Sequence, residues 1–147
     1  MLLRCSWSSY RIVKRLGVDY GKSRTGLAVS DCAGVTCRPL EVLTEKDGDR
    51  LIQAIMAAAK THSVEEIVVG VPRPLSGGTN AQMRDVLSFV DRLRKESQID
   101  VVTWDERFTS VLAERGDKKR GARDSVAACY MLQNYLDRLS ADDRGPV

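Results

Sequence analysis

At 147 residues, with 43% hydrophobic and 29% charged residues, the chain has the size and composition of one globular domain with a real core. A two-domain enzyme, a disordered chain and a membrane protein are excluded as readings of such a composition. A net charge of +3 is too mild to establish nucleic-acid binding, so local clustering of cations has to carry that point. The cysteines Cys5, Cys32, Cys37 and Cys129 form no C-x-x-C pair and His62 is the only histidine, which leaves a zinc site little to draw on. Free thiols in a reducing cytosol are the expected state. Residues 1–10 contain no apolar run of signal-peptide length and nothing later approaches a membrane span, so the expected location is cytoplasmic, with no membrane contact.

Residues 1–10 read as a polar, poorly ordered extension, and residues 1–14 as that extension together with the start of the first strand. Two apolar runs, Leu16 to Val18 and Leu27 to Val29, then flank a loop of Gly21, Lys22, Ser23 and Arg24, which predicts a β-hairpin. Thr36 to Leu43 is the third strand of a meander, and Pro39 assigns it to an edge or a bulge. From Asp49, taken as an N-cap, Leu51, Ile52, Ile55, Ala58 and Ala59 recur at helical spacing. The continuous apolar run Ile67-Val-Val-Gly70-Val-Pro72 is that of a strand covered on both faces. A second helix follows a Thr79-x-x-Gln82 capping box and buries Met83, Val86, Leu87, Val90 and Leu93. Ile99 to Trp104 is a fifth strand running into Asp105-Glu106-Arg107, and a last helix is expected from about Asp124, with a stripe of Cys129, Leu132, Leu136 and Leu139. Residues 140–147 read as a polar tail. The order β-β-β-α-β-α-β-α predicts one α/β domain over residues 15–139: a five-stranded mixed sheet, antiparallel on one side and parallel on the other, with helices on its faces.

Three acidic points stand out: Asp19 at the end of the first strand, Asp105 or Glu106 at the end of the fifth, and Asp124 at the start of the last helix. The ends of such strands are where α/β sheets build sites. Two bare carboxylates about 4 Å apart repel by roughly 4 kcal/mol at an effective dielectric near 20, so a converging set needs a cation. Hard oxygen ligands select Mg²⁺ or Mn²⁺, and displacement at phosphorus is the chemistry those ions support best. Successive strand residues face opposite ways, so one of Asp105 and Glu106 faces Asp19 and the spacing leaves open which.

Gly17-Val-Asp19-Tyr-Gly21-Lys-Ser-Arg-Thr-Gly26-Leu-Ala-Val-Ser-Asp31, Val68-Val-Gly70-Val-Pro72, Asp105-Glu106-Arg107-Phe-Thr109-Ser and Asp124-Ser-Val-Ala-Ala128 resemble the YqgF/RuvX family, in order and over residues 15 to 138. The resemblance implies a ribonuclease H-like fold and a nuclease activity, either resolution of Holliday junctions or maturation of the 5′ end of pre-16S ribosomal RNA. It implies catalytic acids among Asp19, Asp105, Glu106 and Asp124, with Asp19, Glu106 and Asp124 as metal ligands. Related resolvases carry an acid on the fourth strand, where this chain has Gly70-Val-Pro72, so the fifth-strand acid reads as its substitute. Two departures are Ser110 in place of a second threonine and a segment from Ala113 to Asp124 several residues shorter than usual.

The cations Lys118, Lys119, Arg120 and Arg123 form the densest positive run, and Lys22, Arg24, Arg73 and Arg107 come from other loops at the same sheet end. Together with the Thr109 hydroxyl they are the expected contacts to substrate phosphates. Nothing supplies base-reading, so recognition by shape and charge of structured RNA or branched DNA is expected. Trp104 is assigned to the core and His62 to a helix C-cap. The primary expectation is a Mg²⁺- or Mn²⁺-dependent endonuclease. The alternatives are a non-catalytic RNA-binding assembly factor and, ranked below it, an actin-like ATPase turn. Monomer and homodimer both remain open, the junction favouring a two-fold dimer.

Overall fold

The computed structural model describes residues 12–74, 76–105 and 120–144, with side chains in the last segment described from Ser125 to Ala141. The strands are β1 (Arg15–Asp19), β2 (Thr25–Ser30), β3 (Cys37–Leu43), β4 (Glu66–Val71) and β5 (Asp100–Asp105). The helices are α1 (Gly48–Thr61), α2 (Ala81–Glu96) and α3 (Arg120–Arg144). The strands form one sheet in the order β3-β2-β1-β4-β5, antiparallel from β3 to β1 and parallel from β1 to β5. The expected element order and mixed sheet are therefore present.

Strand alternation sorts the core into two layers. Leu16, Val18, Leu27, Val29, Ile67, Val69, Val71 and Val101 pack against α1 and α2 through Leu51, Ile55, Met83, Phe89 and Leu93. Ala28 and Val68 turn the other way, onto Ala128, Met131, Leu132 and Leu136 of α3. β4 is continuously apolar because it is central and covered on both sides. Pro39 sits on the edge strand, opposite Ala28, where the ladder shifts register between Gly26 and Ala28. An edge position with an irregular ladder is where a residue without a backbone N–H does least harm.

Several helix ends differ from the sequence reading. The N-cap of α1 is Asp47, whose carboxylate accepts from the Asp49 amide at 3.0 Å, and Asp49 instead holds Arg92 of α2. The N-cap of α2 is Asn80, whose side-chain oxygen accepts from the Met83 amide at 2.8 Å, one residue beyond Thr79. Both shifts have one cause: polar residues that can each serve as a cap stand close together, and backbone geometry chooses between them. His62 is the C-cap of α1 as expected. α3 starts at Arg120, four positions before Asp124, because Arg120, Ala122 and Arg123 are good helix formers and carry the helix through Gly121. It also runs on to Arg144, into the stretch read as a tail.

Candidate active site

β1 presents Asp19 at its carboxyl end, on the face that α3 covers. Leu16 and Val18 point into the layer beneath α1 and α2. Gly17 points to α3 so closely that a Cβ there would lie 3.0 Å from Leu132 Cβ and 3.3 Å from the Ala128 carbonyl oxygen. Two residues on, Asp19 repeats the orientation of Gly17. Asp19 also closes the β1–β2 hairpin opposite Gly26, and Tyr20 then stacks on Phe89 of α2 with ring centroids 4.3 Å apart. A residue anchored on each side of Asp19, Val18 before it and Tyr20 after it, holds the backbone on the α1 and α2 side. The carboxylate is left on the other.

The same alternation separates the two acids that follow Trp104. Val101 belongs to the α1 and α2 layer, whereas Val102 and Trp104 pack on the α3 layer. Asp105 therefore shares the parity of Val101, opposite that of Asp19, and its carboxylate meets Arg73 at 3.8 Å. Glu106 lies outside the described residues. In register, Val18 lies beside Val69, and the next β4 residue, Gly70, lies beside Trp104. At the carboxyl end of the sheet β4 thus offers no side chain between β1 and β5.

α3 runs antiparallel to β1. Tyr135 meets the start of the strands: its ring lies 5.5 Å from the Arg15 guanidinium, and its hydroxyl donates to Glu66 Oε1 at 3.3 Å. Ala128 and Leu132 lie at Gly17, further along β1. One helical turn before Ala128 is about 6 Å of rise, and two strand residues beyond Gly17 are about 6.6 Å. The backbone at position 124 accordingly stands level with Asp19, on the α3 face that carries Ala128. Being the fifth residue of α3, Asp124 is not an N-cap. The side chains of Arg120, Arg123 and Asp124 lie outside the described part of the structure, and Arg120 and Arg123 belong to a helix where a loop was expected.

Cations reach this end of the sheet from the hairpin loop and from the segment after β4. Lys22, itself exposed, is paired with a partly exposed Asp85 at 3.4 Å, and Arg73 with Asp105. Neither Asp19 nor Arg24 is without a partner. Arg107, Thr109, Ser110, Lys118 and Lys119 lie outside the described residues. Asp31, the last residue of the first motif, is structural, accepting from the Val35 amide at 3.0 Å and from the Thr36 hydroxyl at 2.9 Å. Those donors hold its carboxyl below the usual range, the Val35 amide first among them.

Among the described residues no group of three His, Cys, Asp or Glu side chains is placed to hold a metal ion. A carboxylate such as that of Asp19 is a hard oxygen donor, which suits Mg²⁺ or Mn²⁺ rather than a thiophilic metal. Tyr20, Phe89 and Gly17, which aim Asp19, do not stand out as site-builders in the sequence. The aromatic Tyr20 directly after Asp19 was the available signal, but its partner lies 69 positions away in sequence.

The family model described as RuvX, Holliday junction resolvase, matches residues 13–138. Relatives carrying the name "Putative pre-16S rRNA nuclease" are similar over most of both chains. That of a Sulfurihydrogenibium species is 39% identical, covering 85% of this chain and 90% of the relative. That of Desulforamulus reducens is 38% identical over 83% and 95%, and that of Acetivibrio thermocellus 36% identical over 83% and 94%. Among solved structures, Thermus thermophilus RuvC in complex with a Holliday junction substrate superposes with a TM-score of 0.57 at 14% identity, covering 87% of this chain and 96% of that one. The fold is thus the ribonuclease H-like fold of the RuvC-type resolvases.

Proposed function

The chain belongs to the RuvX family, and from that premise we propose that it is a divalent-metal-dependent endonuclease that hydrolyses phosphodiester bonds at the 5′ end of pre-16S ribosomal RNA. The observation that carries the proposal is the placement of Asp19 on the α3 face at the carboxyl end of the sheet, level with position 124 of the antiparallel helix. The names of the relatives support the substrate.

Asp19 and Asp124 are assigned as metal ligands, and Glu106 rather than Asp105 as the third, because Asp105 is turned toward the α1 and α2 layer and meets Arg73. Bound there, Mg²⁺ or Mn²⁺ supplies Lewis acidity, neutralising charge on the phosphate and making water a usable nucleophile at neutral pH. The chain's own part is to hold and orient. Asp19 is fixed by Val18 and Tyr20 on its two sides. Lys22, Arg24 and Arg73 take flanking phosphates, as do Arg107, Lys118, Lys119, Arg120 and Arg123, and Thr109 donates a hydrogen bond to the same backbone. No helix among the described residues is long and apolar enough to cross a membrane, and a cytoplasmic location suits an RNA-processing enzyme.

The family's description favours a second reading, resolution of branched DNA. A four-way junction has two-fold symmetry and calls for a dimer, whereas trimming an RNA end needs one domain. The test is single-turnover cleavage of a precursor ribosomal RNA and of a four-way junction, each with Mg²⁺, Mn²⁺ or chelator. Chelation is expected to abolish cleavage, and Asp19→Asn to slow it about 10²–10³-fold with substrate binding retained. Cleavage of the junction alone selects the second reading. Binding without cleavage of either substrate identifies a non-catalytic assembly factor.

A further inference from the structure

Away from the acidic edge, α3 meets the edge strand β3 through two thiols. The Sγ atoms of Cys37 and Cys129 are 3.2 Å apart. The Cys37 thiol donates to the Cys129 carbonyl at 3.1 Å, and the Cys129 thiol to the Cys37 carbonyl at 3.5 Å. Both are free and half-buried, in a seam closed at one side by Gln133, whose amide donates to the Val35 carbonyl at 2.8 Å. Cys32, the other described cysteine, is exposed. Disulfide sulfurs stand about 2.05 Å apart, so the pair lies roughly 1.2 Å from bonding distance, a gap that small side-chain rotations close. Two thiols 92 positions apart in sequence are thereby in mutual contact, one on β3 and one on α3.

We propose that Cys37 and Cys129 are a modification site: a reversible intramolecular disulfide, formed with a low-molecular-weight disulfide such as oxidised glutathione as oxidant, that staples α3 to β3. The hydrogen bond from the Cys37 thiol stabilises a Cys129 thiolate and lowers its pKa, while the same contact and burial push that of Cys37 up. Either thiol can attack the oxidant and the other then resolves, since each sulfur lies within reach of the other; with Cys129 first, the exchange passes through its mixed disulfide. The Cys129 thiolate attacks one sulfur of the oxidant, and a small thiolate leaves and takes up the proton that Cys129 released. Cys37 then loses its proton as its sulfur attacks the Cys129 sulfur of the mixed disulfide, and the second small thiol departs carrying that proton. Two protein thiols are oxidised by two electrons, and one small disulfide is reduced to two thiols. The closed loop contains α1, β4, α2 and β5, so the bond constrains most of the unfolded chain and ties down the helix that carries Asp124.

The experiment incubates the full chain with oxidised glutathione, alkylates the remaining thiols, and maps it by non-reducing digestion and mass spectrometry alongside thermal unfolding. The expected result is a product lighter by two hydrogens before alkylation and carrying alkyl adducts only at Cys5 and Cys32 after it, a linked peptide pair holding residues 37 and 129, and a Tm raised by about 5–10 °C and returned by reductant. The same link must form in a Cys5→Ala, Cys32→Ala background and be lost with the Tm rise when either Cys37→Ala or Cys129→Ala is added. Links through Cys5 or Cys32, links between chains, glutathione retained on both thiols, or no reaction overturn the proposal, as does a linked pair with unchanged Tm.

Discussion

Asp105 and Glu106 are chemically near-equal acids on adjacent residues, and the strand pleat fixes what the first of them meets. Asp105 faces Arg73 and the α1 and α2 layer. Its replacement by Asn is expected to slow cleavage less than about 10-fold, whereas Glu106→Gln, which would remove the ligand proposed above, is expected to cost about 10²-fold or more. Single-turnover rates of the two variants at saturating Mg²⁺ decide it, and a larger loss with Asp105→Asn would reverse the face assignment. At the opposite end of the sheet, burial first and the Glu66 carboxylate second raise the pKa of Tyr135. Its folded value lies above the ordinary value near 10, so the folded chain keeps a proton that the unfolded chain has lost. The corresponding stability is complete below about pH 10 and is lost as pH rises through the raised pKa. Ultraviolet titration of the phenols is expected to show one late-titrating tyrosine, moved toward the ordinary value by Glu66→Gln.

At the scale of elements, the contact between β1 and α3 sets the distance between Asp19 and position 124. Gly17 is required there because any side chain would press on Leu132 and on the Ala128 carbonyl. Gly17→Ala is expected to push α3 outward by a few tenths of an ångström and to destabilise the fold by about 1–3 kcal/mol, as overpacked cores do. If Asp124 is the ligand proposed above, cleavage should fall more than stability does. Urea unfolding and cleavage rate, measured on the same preparation, separate the two effects. Undiminished cleavage alongside lost stability would show that α3 does not position the site. The buried stripe of this helix is plain in the sequence, but its start is read four residues late, because Arg120 and Arg123 carry no apolar signal, only propensity marks them as helical, and Gly121 between them argues against a helix.

For the molecule as a whole, a net charge of +3 gives little long-range attraction, so nucleic-acid affinity must come from cations gathered at one sheet edge. Lys22 is itself exposed and pairs with a partly exposed Asp85, a contact that contributes about 0–1 kcal/mol and yields readily to a phosphate. Binding of a structured RNA is expected to weaken about 10²-fold between 50 and 200 mM salt if about four phosphates are neutralised. Lys22→Ala should reduce the slope of log affinity against log salt by about 1, as measured by fluorescence anisotropy, and an unchanged slope would remove Lys22 from the interface.

Much of this architecture was legible in the chain itself. The period of two in the strands and 3.6 in the helices announces each element, the continuous run at Ile67–Val71 announces a central strand, and Pro39 announces an edge, because these are local consequences of backbone geometry. The acids Asp19, Asp105, Glu106 and Asp124 were visible as outliers at the ends of those elements. What they face was decided by tertiary structure: strand order, the direction of α3 against β1, the anchoring of Tyr20 on Phe89 and the meeting of Cys37 with Cys129 all join residues distant in sequence. Periodicity states that a residue has a face, and only the packing of one element on another determines what that face meets.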